Sequence, residues 1–113
     1  MVHGAPGDMC RIVGPQDTPP IRDGVKLVLA GHLHIPFVIR REDGLWVNVG
    51  SAGRPCDGDP RPAVSLLTEL HGEWVVSQHR VDFDPQVSAR GILESGMPFA
   101  ANVASAVLEA RWY

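Results

Sequence analysis

The sequence has little clustered positive charge. It contains one lysine, Lys26, its arginines are scattered, and its formal net charge is −3 with a pI near 5.9. Binding to the backbone of a nucleic acid duplex needs Lys and Arg side chains gathered on one surface. We therefore expect no duplex nucleic acid as a main partner, whereas a small anionic substrate held by a metal needs no such cluster.

Cysteine is scarce, and no long apolar run occurs. Cys10 and Cys56 lie far apart and form neither a CxxC pair nor a zinc-finger spacing, so we expect two free thiols that are buried or half-buried. No apolar run approaches the roughly 20 residues of a membrane span, and no charged-then-apolar leader opens the sequence. These features predict no membrane association and a cytoplasmic location. With 44% hydrophobic and 20% charged residues, the chain is expected to fold rather than to be disordered.

Short apolar runs separated by turn residues predict a sheet-rich first part. Residues 1–24 are punctuated by Gly and Pro and are expected to form a loop. Asp43-Gly44 and His71-Gly72 are typical of hairpin turns. The predicted strands span residues 25–30, 36–41, 45–49, 63–70 and 73–83.

The last third of the chain predicts two helices. Pro85 is expected to open a helix that continues through Glu94, because proline is tolerated at the first helical position. Ser95-Gly96 ends it, and Pro98 opens the second helix. The predicted apolar stripe of that helix consists of Phe99, Val103, Ala106, Val107 and Ala110. The fold class is therefore α/β, with a mixed sheet, β-hairpins and two terminal helices in one partial domain spanning 1–113.

Three histidines are candidate metal ligands. His32 and His34 follow a predicted buried strand, in the sequence Gly-His-Leu-His at 31–34. In an extended chain, residues i and i+2 point to the same side, about 6.6–6.8 Å apart, so both imidazoles could reach one metal or two adjacent metals. His3, beside Gly4, adds a third candidate. From the residues alone, ordinary loop histidines are an equally good interpretation.

The two other histidines have simpler interpretations. His71 lies beside Gly72 in a predicted turn and is expected to be solvated. His79 lies between Gln78 and Arg80 in a predicted strand, and is expected to be an ordinary surface or core histidine.

Several motifs in this chain carry a family resemblance. Their succession resembles the C-terminal half of the calcineurin-like metallophosphoesterases, most nearly their small bacterial members. That family's pattern runs DxH, GDxxD, GNH(D/E), an isolated His-Gly and GHxH, and only the last two elements are present here. The matching motifs are His3-Gly4-Ala5-Pro6, the GHLH sequence at 31–34, Asn48-Val49-Gly50-Ser51-Ala52-Gly53 and the Gly-Asp-Pro-Arg sequence at 58–61.

The sequence departs from the family pattern in three places. Leu33 replaces the Thr or Ser often found inside GHxH, a position that binds no metal, and Val49 replaces the usual Pro. The segment between His3 and His32 is shorter than expected for these relatives. This shortening leaves the identity of the substrate open.

The resemblance implies a four-layer αββα sandwich and a centre of two divalent metals, which could be Mn, Fe, Zn or Ni. By position, His3 and His32 would bind one metal and His34 the other. The reaction implied is hydrolysis of a small phosphoester or nucleotide by a metal-bound hydroxide. No catalytic residue is expected within this chain, because the DxH, GDxxD and GNH(D/E) elements have no counterpart in it.

The resemblance also places the loop from Asn48 to Gly53 beside the metals. Asn48 and Ser51 could then orient a ligand or an anion, although a plain β-turn is an equally good interpretation. Arg54 is a candidate phosphate contact, with a solvated loop arginine as the favoured alternative.

Three histidines shared between two metals are too few, because metal sites in proteins normally have at least three protein ligands per metal. We therefore expect this chain to bind metal weakly and to hydrolyse little by itself. It is expected to be a truncated gene model, a degraded paralogue, or a subunit that pairs with a missing N-terminal half or with another copy. The main alternative function is a non-catalytic remnant that acts as a binding module. An amidohydrolase barrel is disfavoured, because the sequence lacks βα repeats.

Overall fold

The structure is a computed structural model and describes residues 1–112. Residues 1–24 form the predicted loop, which contains an isolated bridge between Ala5 and Asp8. The regular elements follow in the predicted order. They are β1 (Leu27–Ala30), β2 (Pro36–Arg40), β3 (Leu45–Val49), β4 (Ala63–Leu70), β5 (Glu73–Arg80), α1 (Pro85–Glu94) and α2 (Ala100–Glu109).

The first sheet is mixed and has the strand order β1-β3-β2. β3 pairs in parallel with β1 and antiparallel with β2, and the predicted turn at Asp43-Gly44 joins β2 to β3. Because β3 is the middle strand, its residues from Leu45 to Asn48 are all buried. The core beside this sheet contains Ala5, Val13, Ile21, Val28, Ala30 and Trp46. The N-terminal loop therefore covers one face of the sheet.

The second sheet is the predicted hairpin of β4 and β5. Along β5 the side chains alternate between exposed and half-buried, as a sheet with one solvated face requires. β5 ends at Arg80, so the prediction of a strand reaching Phe83 is wrong. The reason is that β4 begins at Ala63, which pairs with Arg80, and only the Val81 N–H finds a further carbonyl, that of Pro62, at 3.0 Å.

The two helices form a hairpin whose first member matches its predicted bounds. Asp84 caps α1 by accepting a hydrogen bond from the Gln86 N–H at 2.9 Å, and Pro85 occupies the first turn. The predicted stripe of α2 is wrong at Phe99, which precedes the helix with a φ of 59° and is 79% exposed. The left-handed backbone there turns the side chain away from the packed face. That face consists of Ala104, Ala106, Val107 and Ala110.

The chain is elongated for its length. Its radius of gyration is 15.8 Å, against about 13 Å for a compact domain of roughly 100 residues. Large apolar side chains are correspondingly exposed on the outer face of the β4–β5 hairpin, among them Val64, Leu66 and Val75. Over residues 1–112, the longest helices have ten residues, too few for any of them to span a bilayer.

Candidate metal centre

The first histidine pair is assembled by backbone hydrogen bonds at the end of β1. The Val2 N–H donates to the Leu29 carbonyl at 2.9 Å, and the Gly31 N–H donates to the His3 carbonyl at 2.8 Å. These bonds hold the N-terminal residues alongside the end of the strand. As a result His3 Nε2 lies 2.9 Å from His32 Nδ1, with the two rings edge to face at a centroid distance of 4.8 Å.

The backbone of the GHLH segment differs from the extended geometry that the sequence predicts. β1 ends at Ala30, and His32 and His34 both have left-handed backbones, with φ values of 63° and 61°. Histidine adopts this conformation more readily than most residues, but it is still uncommon outside glycine. Such conformations persist where the surroundings fix them, and they cluster at functional sites. The two side chains are therefore presented by a tight turn and not by a strand.

His34 is oriented by a carbonyl group. Its Nδ1 lies 2.8 Å from the Arg54 carbonyl oxygen, so Nδ1 carries the proton and donates it there. Nε2 is then the nitrogen with a lone pair, and a carbonyl on the opposite nitrogen is the usual arrangement for a histidine that ligates a metal. The His34 carbonyl in turn accepts a hydrogen bond from the Cys56 N–H at 3.2 Å. The loop carrying Arg54 and Cys56 thus fixes both the ring and the main chain of His34.

Cys56 itself is buried within this loop, as expected. Cys10, the other free cysteine among residues 1–112, is exposed, so the expectation of burial is wrong there. Its thiol lies 3.5 Å from the Arg54 carbonyl and 4.0 Å from His34 Nδ1. Burial raises the pKa of the Cys56 thiol, so the thiol is protonated at neutral pH.

Asn48 holds the turn that carries His32 in place through side-chain hydrogen bonds. It is 1% exposed, its Nδ2 donates to the Gly31 carbonyl at 2.7 Å, and its Oδ1 accepts from the Gly50 N–H at 3.0 Å. The Asn48 carbonyl accepts a further hydrogen bond from Gln78 Nε2 at 2.8 Å, which connects β3 to β5. Asn48 therefore links three segments close to His32 in sequence or space: the residue before it (Gly31), the loop after β3 (Gly50) and β5 (Gln78).

Ser51 and Arg54 form the turn next to Asn48. The Ser51 hydroxyl accepts a hydrogen bond from the Arg54 N–H at 3.0 Å, which is a turn-stabilising contact. Arg54 is half-buried, and its Cζ lies 5.4 Å from the ring centroid of Trp112. The favoured expectation of a solvated loop arginine is therefore wrong, because the indole covers the guanidinium.

The donor set fits a metal only in part. His3 Nε2 and His32 Nδ1 are 2.9 Å apart and share a hydrogen bond, and this distance is also close to the roughly 3 Å between two cis nitrogens that each lie about 2.1 Å from an octahedral metal. Between Met1 and Trp112, however, no group of three or more His, Cys, Asp or Glu side chains is placed to hold a metal ion. His71 and His79 are both exposed and lie outside this cluster, and His79 Nε2 contacts the Ser77 hydroxyl at 2.9 Å.

Comparison with known proteins decides the fold. The crystal structure of a metallophosphoesterase from Sphaerobacter thermophilus matches with a TM-score of 0.73 over 96% of this chain and 54% of that chain. The fold is part of a metallophosphoesterase fold. The sequences are 21% identical, and this chain spans about half the length of that structure. No protein-family profile and no curated protein sequence matches the chain.

Within this metallophosphoesterase fold, the site contains two residues that sequence reasoning missed. Trp112 stacks on His34 with a ring-centroid distance of 5.5 Å and an interplanar angle of 27°, and the Cys56 thiol lies 4.0 Å from His34 Nδ1. Neither residue belongs to a motif, and Trp112 is separated from His34 by the hairpin and both helices. A lone aromatic near a chain end gives no periodic signal, so only the tertiary structure reveals this contact.

Proposed function

We propose that this chain forms part of a dinuclear metal centre that hydrolyses a small phosphoester or nucleotide. The observation that carries the proposal is the pairing of His3 Nε2 with His32 Nδ1 at 2.9 Å, in a metallophosphoesterase fold. Two nitrogen donors 29 residues apart in sequence meet at the end of a strand, where neutral imidazole suits Mn, Fe, Zn or Ni.

Each histidine has a distinct role in this proposal. His3 and His32 hold one metal, for which both rings must turn a lone pair toward a common point. His34 holds the second through Nε2, because its Nδ1–H is engaged by the Arg54 carbonyl. When bound, such metals lower the pKa of a water and neutralise charge on the phosphoryl oxygens. Arg54 lies in the loop between β3 and β4, next to His34, and could contact the phosphate.

The remaining metal ligands and the catalytic acid belong to a companion part of the fold, either a missing N-terminal half or another copy of this chain. We therefore expect the chain alone to bind metal weakly and to turn over little substrate. The same proposal places the protein in the cytoplasm.

The exposed apolar face of the β4–β5 hairpin favours a second candidate, a non-catalytic binding module. Val64, Leu66, Leu70 and Val75 are each between 40% and 57% exposed. An apolar face of this kind often marks a protein contact. In that case the hairpin would be functional and the histidine cluster would not.

The first test measures metal binding directly. Histidine ring resonances are followed by NMR during titration with Mn²⁺, whose paramagnetism broadens signals near the bound ion. We expect broadening of His3, His32 and His34 before His71 and His79, and its loss in His32→Ala. His79→Ala is the matched control and should broaden as the unchanged chain does.

The second test measures activity. Hydrolysis of bis(p-nitrophenyl) phosphate with Mn²⁺ is compared between this chain and a form extended upstream through DxH and GDxxD elements. We expect activity only in the extended form, and its abolition by His32→Ala. If the extended form binds Mn²⁺ but stays inert, the phosphoesterase proposal is wrong and the binding module is favoured.

A further inference from the structure

The end of α2 directs the chain back toward the histidine cluster. Ala110 follows the helix with a left-handed backbone, φ 49°, although it carries a Cβ, and it is fully buried. Its carbonyl accepts a hydrogen bond from the Gly58 N–H at 2.9 Å. A left-handed residue other than glycine is held only where its surroundings require it. Here it ends the helix and turns the following residues onto the loop that carries Arg54 and Cys56.

Trp112 then makes two contacts, both with residues of the candidate metal centre. Its indole stacks on the imidazole of His34, at 5.5 Å between centroids and 27° between planes. The guanidinium of Arg54 lies over the same indole at 5.4 Å, within the range of a cation–π interaction. Trp112 is 49% exposed, so about half of its side chain is covered by these neighbours and others.

These contacts complete the restraint on the ring of His34. The hydrogen bond to the Arg54 carbonyl fixes one edge of the imidazole, but rotation about that bond would still tilt the opposite nitrogen. A stacked indole removes this freedom, because tilting would break the ring contact. Arg54 is held by the same indole, so its carbonyl and guanidinium are positioned together.

We propose that Trp112 is a positioning residue, which holds the His34 ring in the orientation that its Nδ1 hydrogen bond sets, so that Nε2 would be available to a metal, and keeps Arg54 beside it. This inference rests on the proposed function for the identity of the ligand that His34 binds. It does not require the metal to be present, since the stacking itself is a property of the chain without ligand. The C-terminal end of the chain is thereby part of the site.

The test uses the whole chain labelled with ¹⁵N and ¹³C at histidine, with three variants. Trp112→Leu removes the ring, Trp112→Phe keeps an aromatic ring, and Phe99→Leu is the control, since Phe99 is a 79% exposed aromatic on the same helical hairpin. Without metal, the ring protons of His34 should carry an upfield ring-current shift and Nδ1 should be the protonated nitrogen. Zn²⁺ affinity is then measured from the ¹⁵N shift of His34 Nε2, because a diamagnetic ion mainly shifts the nitrogen that binds it, whereas Mn²⁺ bound at His3 and His32 would also broaden His34.

We expect Trp112→Leu to abolish the upfield shift and to weaken Zn²⁺ binding at His34 by about tenfold, the lower end of the effect of outer-shell residues on metal affinity. Trp112→Phe should retain most of the upfield shift and most of the metal affinity at His34. Phe99→Leu should change neither quantity. An unchanged His34 ring shift in Trp112→Leu would overturn the inference. If His34 Nε2 does not respond to Zn²⁺ even at millimolar concentration in the unchanged chain, the assignment of His34 as a metal ligand fails, while the shift measured without metal still decides whether Trp112 holds the ring.

Discussion

Replacing Asn48 with alanine is expected to destabilise the chain more than any other single amide substitution. The Asn48 side chain is buried and makes hydrogen bonds at 2.7 Å to the Gly31 carbonyl and at 3.0 Å from the Gly50 N–H. The variant leaves both backbone groups without a partner, and each such group costs about 1–3 kcal/mol. We therefore expect a loss of about 2–6 kcal/mol, a large share of the roughly 5–15 kcal/mol by which a domain is stable.

Urea unfolding monitored by circular dichroism measures this loss, with Asn102→Ala as the matched control because Asn102 is exposed on α2. Asn48→Asp separates the two bonds, since a carboxylate can still accept from Gly50 but cannot donate to Gly31. It should also shift the His32 resonances, because Gly31 precedes that residue. A loss below about 0.5 kcal/mol for Asn48→Ala, the range of surface substitutions, would refute the reasoning.

Three further changes test the loops around the site. Gly50→Ala should cost about 2–5 kcal/mol in urea unfolding, because a Cβ would lie 2.8 Å from the Ala63 Cβ at a φ of +75°. Arg80→Met should cost about 2–3 kcal/mol by the same assay, because Arg80 is largely buried and donates at 2.8 Å to the Arg61 carbonyl. A hydrogen bond from the Arg61 side chain lowers the pKa of Asp59 to about 2, so the stability it contributes is present above pH 4 and is lost as the pH falls toward 2. The urea midpoint should fall across that window, and Arg61→Gln should flatten the fall.

Each of these changes has a control of the same type. Gly53→Ala should be nearly neutral, because no atom lies within 4 Å of the added Cβ. Arg90→Met removes an exposed arginine on α1 and should cost little. Asp23→Asn removes an exposed carboxylate of the N-terminal loop, outside the Asp59–Arg61 loop, and should leave the acid slope unchanged. Equal effects in a variant and its control would contradict the assigned contact.

Local patterns in the sequence predict most of the fold. The bounds of β4 and α1 agree with the structure because each depends on nearby residues. Ala63–Leu70 runs into the turn at His71-Gly72, and α1 is bounded by Pro85 and Ser95. The family resemblance adds the metallophosphoesterase fold, which no periodicity in the sequence contains.

The errors arise where long-range contacts override local patterns. The strand alternation continues past Arg80, but strand pairing stops there because β4 supplies no partner. Phe99 fits a helical stripe by spacing, yet the turn before α2 takes a left-handed backbone and exposes it. The predicted histidines His3 and His32 do meet, but through a turn and backbone bonds that the extended-strand argument did not include. Their role as metal ligands stays a prediction.

The burial of Cys56 makes the reactivity of its thiol a measure of loop opening. Cys10 is exposed, whereas Cys56 is buried in the loop whose backbone is hydrogen-bonded to His34. A thiol reagent added to the native chain should therefore modify Cys10 at once and Cys56 only when that loop opens. In the Cys10→Ser variant only Cys56 can react. The rate of that slow reaction then measures how often the loop that carries Arg54 and Cys56 opens. Bound metal or a companion half of the fold should slow that rate, so a simple colorimetric reaction could screen for either one.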